Sequence, residues 1–399
     1  MNILILTNKP PYPPKDGGAI AVFNLAKGIA NEGHNIHILS LNTSKHWIDC
    51  NNIPSFPNLK LTYIDIDTSI NIFDLALNIC FSKLPYNAKR FISQPFLNQL
   101  TNILTSNVFD IVQLEGPYLS FCIETIKLHS KAKIALRSHN IEHEIWQRTA
   151  LKETSWPKRQ YLKHLALRIE RFEKGLTNKY DFILPITSRD GIILNNMGNT
   201  KPSFVVPVGV DAENLASFTL NNNNSIFYIG ALDWIPNQEG LQWFINNIWG
   251  HISSTYPNLI LHIAGRNAPE WLKNTIQQKN IKFHGEVENA YAFMENHDIM
   301  IVPLFSGSGM RVKIIEGMAM GKAIITTPLG AEGIDITDNE NILIAHNADV
   351  FKNKLTSLLN NKALLTKISE QAKSFIQNNY DNSVIAKKLS EFYIKQLNQ

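Results

Sequence analysis

Arg311, Lys313 and Glu316 fall within six consecutive positions, directly behind a Gly307-Ser308-Gly309 loop. A helix starting here would offer unpaired backbone N–H groups and the positive end of its dipole, which together favour an anion. That dipole disfavours two cations in the first turn, so their presence asks for a negatively charged partner. Gly307 and Gly309 let backbone approach such a partner closely. Glu316, three residues after Lys313, shares a helix face with it, and a carboxylate beside a phosphate site is what a pair of ribose hydroxyls needs. These residues predict a nucleoside diphosphate site. The plainer alternative is a pair of solvated helix charges and a simple glycine turn, common in α/β folds.

Several familiar patterns are incomplete. Gly317-Met-Ala-Met-Gly321-Lys322 is one residue short of a P-loop and lacks the hydroxyl residue after the lysine, and Gly307-Ser-Gly309 lacks the third glycine of a dinucleotide fingerprint. His139-Asn-Ile-Glu142-His143 has the letters of a His-x-x-Glu-His zinc pattern, but its first histidine falls at a strand end and not on a helix. Asp65-Ile-Asp67 has the Asp-x-Asp form of metal-dependent transferases of another fold, on what reads as an edge strand. No metal or other cofactor is expected.

The elements that must hold the first group read as one βαβ unit: a buried strand over residues 298–304, a helix over about 310–320 and a second strand over 323–327. Continuous apolar runs such as Ile299-Met300-Ile301-Val302 suit parallel strands covered on both faces, and ligands of such sheets bind beyond the carboxyl ends of the strands. The chain also opens as βαβ: strand 2–7, helix 18–32, strand 35–41. Gly17 and Gly18 stand at the start of that helix as a second candidate phosphate or sugar site. Further strands are expected at 59–66, 109–114, 133–137 and 182–186, and a long basic, aromatic-rich helix over about 142–178. The polar stretch 221–225 (NNNNS) reads as a break, after which a second βα series begins at Ile226. With 399 residues, the chain is expected to form two Rossmann-like, doubly wound parallel-sheet domains facing a cleft, 1–205 and 206–380. The last segment, 381–399, is an amphipathic helix returning to the first domain.

Hydrophobic content of 44% with 18% charged residues excludes a disordered chain. The start reads as a first strand and not a signal peptide, and nothing approaches the ~20 apolar residues of a membrane span. Three cysteines, far apart in sequence, support neither a disulfide framework nor a zinc site, so a cytoplasmic setting is expected. Residues 1–205 carry 23 Lys and Arg against 16 Asp and Glu, whereas residues 206–399 carry 15 against 18. A basic first half suits an anionic membrane surface or a phosphate-bearing acceptor; interleaved signs speak against nucleic acid.

An ordered set of motifs resembles the GT-B glycosyltransferases, and most closely the retaining family 4. The set comprises Gly17-Gly18, Pro207-Val-Gly-Val-Asp211, Gly230-Ala-Leu-Asp-Trp-Ile-Pro-Asn237, Ala264-Gly265-Arg266, Gly285-Glu286-Val287, Gly307-Ser-Gly-Met-Arg-Val-Lys-Ile-Ile-Glu316 and Gly330-Ala-Glu-Gly333. The resemblance implies transfer of a sugar, with retention and without a metal, from a nucleotide diphosphate sugar to a glycan or lipid-linked acceptor. It implies a setting in surface polysaccharide or glycolipid assembly at the inner membrane face. It assigns Gly17, Gly18, Gly230, Arg266, Val287, Gly307, Ser308, Gly309, Arg311, Lys313 and Glu316 to donor binding, with Glu316 on the ribose, Arg311 and Lys313 on the diphosphate, and Val287 near the base. Glu115 and His139, at the ends of neighbouring strands, are expected to orient acceptor or sugar. Ser308 stands where relatives often carry a first glutamate, which opens the sugar contact. A nucleotide-sugar 2-epimerase and a non-catalytic nucleotide-sugar-binding member share this architecture and stand as alternatives.

Overall fold

The computed structural model describes every residue except 15, 51, 52, 216–219, 221–224 and 308, and leaves aside the side chains of 72, 76 and 80. Ser308 and most of the polar break at 221–225 therefore lie outside the described residues. The chain divides into two compact units, Met1–Gly209 with Asn382–Gln399, and Val210–Asp381.

The first unit holds six strands, β1 (Asn2–Thr7), β2 (Asn35–Thr43), β3 (Leu59–Ile66), β4 (Ile111–Glu115), β5 (Lys133–Ser138) and β6 (Phe182–Pro185). They pair in parallel in the order β3-β2-β1-β4-β5-β6. Strand β1 shows why such runs become central strands. Ile3 and Ile5 enter one apolar cluster and Leu4 and Leu6 the other, so both faces are covered. Helix α1 (Gly17–Asn31) covers one face, and the final helix, Asn382–Leu397, packs on α1 so closely that a Cβ on Gly28 would lie 2.9 Å from the Ala386 Cβ.

The second unit repeats the plan with β7 (Ile226–Ile229), β8 (Leu261–Ala264), β9 (Ile281–Gly285), β10 (Ile299–Val302), β11 (Ala323–Thr326) and β12 (Leu343–Ile344), ordered β12-β11-β10-β7-β8-β9 and parallel throughout. Read from its other edge, this is the first sheet's order, the doubly wound arrangement in which the chain reverses direction beside its first strand. The switch points lie between β1 and β4, where Thr7 faces Glu115 in register, and between β7 and β10.

Two expectations are corrected. The helix over 142–178 is two helices, Glu142–Lys152 and Trp156–Leu176. Pro157 has no N–H to continue an earlier helix but fits the first turn of a new one, so the chain breaks ahead of it. The helix behind the glycine loop starts at Val312, with Arg311 at its cap position, not inside its first turn. The helix that follows β7 starts at Ile235, with Pro236 in its first turn, and passes through a π turn over Ile245–Trp249.

Candidate active site

At the second switch point the chain leaves β10, crosses the glycine loop with Gly307 at φ +102° and Gly309 at φ +80°, and enters the helix Val312–Ala319. These angles require glycine. A Cβ on Gly307 would also fall 2.9 Å from the Trp234 ring. That indole, missed in the sequence, carries the Arg311 guanidinium 5.5 Å from its ring centre and holds it in a buried position. Ser306 Oγ donates to Glu239 Oε2 at 2.6 Å and fixes the start of the loop.

Lys313 turns back to the end of β7. Its ammonium donates to the Ile229 carbonyl at 3.2 Å and to Asn237 Oδ1 at 3.1 Å, and lies 4.7 Å from the centre of the Tyr228 ring. Gly230 is needed for this reach, because a Cβ there would come 3.0 Å from Lys313 Nζ and 2.9 Å from Asn237 Nδ2. Burial, then the like charge of Arg311, pulls the Lys313 ammonium down to about 7. Glu316 points elsewhere: Tyr291 Oη donates to its Oε1 at 2.8 Å. Burial raises the Glu316 carboxyl, with the tyrosine hydrogen bond opposing. Lys313 and Glu316 therefore meet different partners from one helix. Val287 is half-buried against the apolar cluster under this helix, whereas the Arg266 side chain is exposed after β8 and its carbonyl accepts from Leu232 N–H.

At the first switch point a cavity of about 190 Å³ is lined by Lys9, Gly18, Glu115, Tyr118, His139 and Glu142, among others. Glu115 ends β4, buried, and takes hydrogen bonds from Gln113 and, at 2.5 Å, His139 Nε2, with the fully buried Arg137 guanidinium 3.6 Å away. Burial alone would raise its carboxyl; Arg137 and the two hydrogen bonds outweigh this and hold it below the ordinary range. Support arrives from the far end of the chain, where Tyr393 of the final helix donates to Gln113 Oε1 at 2.6 Å. Gly17 begins α1 and Gly18 lines the cavity, but the Asp16 carboxylate already caps the Ala19 N–H and pairs with Lys9 at 2.5 Å. An anion arriving at that helix start meets a site partly filled by the chain itself.

In the sequence Glu142 stands out only as part of a zinc pattern. Its carboxyl accepts from Tyr118 Oη at 2.9 Å, and burial raises it to about 7. Two carboxyls lining one cavity are thus driven apart in proton affinity, Glu115 downward by Arg137 and its hydrogen bonds and Glu142 upward by burial. The zinc letters do not converge: His139 meets Glu115, and His143 meets Glu173 Oε2 at 2.7 Å. Nor do Asp65 and Asp67, whose partners are Asn42 and Ser69. Among the described residues no group of His, Cys, Asp and Glu is arranged to hold a metal ion. The rings of His262, His284 and His297 pack together, His262 stacked on His284 and tilted against His297 with 4.3 Å between their centres.

A family model described as glycosyl transferases group 1 matches residues 223–361, the segment that contains Trp234, Arg311, Lys313 and Glu316. Among curated proteins, the chain is 24% identical over 400 residues to an uncharacterized 44.6 kDa protein in the cps region of Klebsiella pneumoniae, covering 96% of this chain and 97% of that one. Among solved structures it is similar to sucrose-phosphate synthase of Thermosynechococcus elongatus, with a TM-score of 0.69, 14% identity and 99% of each chain covered. It is equally similar in shape to Anabaena HepE in complex with UDP, with a TM-score of 0.69, 12% identity, and 99% of this chain and 100% of that one covered. These similarities establish the GT-B fold of two Rossmann-like units, as the motifs led us to expect. The matched segment covers most of the second unit.

Proposed function

We propose that the protein is a glycosyltransferase that moves a sugar from a nucleotide diphosphate sugar to a hydroxyl of a glycan or lipid-linked acceptor, with retention of anomeric configuration. The observation that carries this reading is that Arg311, Lys313 and Glu316 all stand directly behind the glycine loop at the switch point of the second sheet, within the matched segment. The HepE structure holding UDP supports the nucleotide class.

In this reading Glu316 accepts from the ribose hydroxyls, a role its partial burial strengthens. Arg311 and Lys313 face the diphosphate. As the bond from the anomeric carbon to the phosphate oxygen breaks, its electron pair stays on the diphosphate, and preformed positive charge there stabilises the developing anion more than the bound donor. The acceptor belongs to the first unit, whose cavity offers Glu115 and His139 as orienting groups. The basic first half suits a lipid-linked or phosphate-bearing acceptor, in a setting of surface polysaccharide or glycolipid assembly.

The test is incubation with a panel of nucleotide sugars and hydroxyl acceptors, followed by nuclear magnetic resonance of the product. We expect nucleoside diphosphate release that depends on acceptor, and a product with the donor's anomeric configuration. An inverted product overturns retention, and conversion of the donor to its epimer without acceptor overturns transfer.

A further inference from the structure

The C-terminal end of helix α2 (Ile72–Phe81, IFDLALNICF) is tied to a neighbouring helix. Arg168, buried in the helix Trp156–Leu176, donates through Nη2 to the carbonyl of Asn78 at 3.1 Å, its side chain at 3.0 Å, and the carbonyls of Ser82 at 2.6 Å and Leu84 at 2.9 Å. These bonds fix the C-terminal end of α2 against the body of the first unit. The other side carries Phe73, Leu77 and Phe81, exposed by 71%, 40% and 85%, with Ile70 just ahead of the helix at 62%. At a helical turn of about 100° per residue, the positions i, i+4 and i+8 fall within about 80°, so the three helical residues form one stripe. Large apolar side chains exposed singly are ordinary, but a contiguous stripe of them on one short helix marks a surface that meets something apolar.

The charges around the stripe identify what it meets. Asp74 is the one acidic residue between positions 70 and 90, against Lys83, Lys89 and Arg90. Lys83 and Lys89 are exposed. His164 and Arg171, four before and three after Arg168 on the neighbouring helix, share its side and are exposed too. An apolar stripe bordered by cations matches the interface of an anionic bilayer, where apolar side chains enter the boundary between headgroups and acyl chains and cations meet lipid phosphates. A second copy of this chain fits poorly, because a two-fold contact over the stripe would bring the same cations together.

We propose that the exposed stripe of α2 is the surface by which this protein docks on an anionic lipid bilayer. The proposal gives a place to the membrane partner of the function proposed above, rests on that reading for its purpose, and is tested without turnover. The basic residues supply attraction at a distance and the aromatic side chains supply insertion, so binding needs both.

The experiment is flotation of the full chain with vesicles of phosphatidylcholine, alone or mixed with phosphatidylglycerol. The parent protein is expected to float with the mixed vesicles and to fall away in pure phosphatidylcholine and at high salt. Phe73→Asp combined with Phe81→Asp should weaken partition by at least about tenfold, because two exposed aromatic rings lose their apolar destination. Circular dichroism and nucleoside diphosphate binding of that variant should match the parent. Lys83→Glu combined with Lys89→Glu should remove the preference for anionic vesicles. The proposal is overturned if the parent floats with neither vesicle or if the stripe variant partitions as well as the parent. It is also overturned if the parent is a dimer by light scattering that the stripe variant splits, since a second copy then occupies the stripe. Failure of docking with nucleotide binding intact removes this surface and leaves the donor site standing; the converse result removes the donor site alone.

Discussion

Lys313→Met will lower turnover by about 10²- to 10³-fold while leaving the protein at least as stable as the parent at pH 7. Both acceptors of the Lys313 ammonium, the Ile229 carbonyl and Asn237 Oδ1, are neutral, and the charge that acts on it most strongly, Arg311, has its own sign. Holding an ammonium there works against folding. Its folded pKa of about 7 lies below the ordinary value of 10.5, so between these values the unfolded chain binds more protons than the folded one. Stability therefore rises with pH across that window, and the penalty is fully present below it. A methionine of similar length removes the penalty, about 1–2 kcal/mol after allowing for screening by solvent. Denaturant unfolding at pH 7 and pH 10 should show the gain at the lower pH and little at the higher, beside steady-state kinetics with saturating donor. A loss of stability in step with turnover would make Lys313 a structural residue and not a partner of the diphosphate.

The largest loss of stability is expected at Glu115. Glu115→Ala leaves Arg137, fully buried, without its carboxylate, and removing one member of a buried pair costs about 3–5 kcal/mol. Arg137 keeps the carbonyls of Ala21 at 2.9 Å and Pro207 at 3.4 Å, which cannot neutralise it. Combining Glu115→Gln with Arg137→Met should recover much of the stability, because a neutral pair of similar volume needs no charge balance in the core. Turnover should not recover, since the group that orients His139 is then uncharged. Thermal unfolding of the single and double variants, alongside kcat/KM, separates the two roles. Recovery of both together would mean that Glu115 serves the fold alone.

The strands are legible because both faces of each sheet are covered: a run such as Ile299-Met300-Ile301-Val302 has no polar alternation to place it in water, and its odd and even residues enter opposite clusters. The glycine loop is legible because Gly307 and Gly309 occupy angles that other residues avoid. The break at Pro157 could have been read from the missing N–H, but the basic periodicity across it masks the interruption. Positions fixed by contacts distant in sequence are not legible. Nothing local to Arg311 announces that it lies over Trp234, and nothing local to Gln113 announces Tyr393, 280 residues away. The letters His139-x-x-Glu142-His143 mislead for the same reason, because their partners Glu115 and Glu173 come from elsewhere in the first unit.

The measurement closest to the central claim is calorimetric titration of the full chain with a panel of nucleoside mono- and diphosphates, repeated on Glu316→Ala. At least one diphosphate should bind more tightly than its monophosphate, and Glu316→Ala should weaken it by about tenfold or more, the worth of hydrogen bonds to a charged acceptor. The helix Val312–Ala319 should be unharmed, because the Glu316 side chain accepts from Tyr291 Oη and not from the helix backbone. Binding of no diphosphate, or affinity unchanged in Glu316→Ala, would contradict the placement of the donor at this switch point.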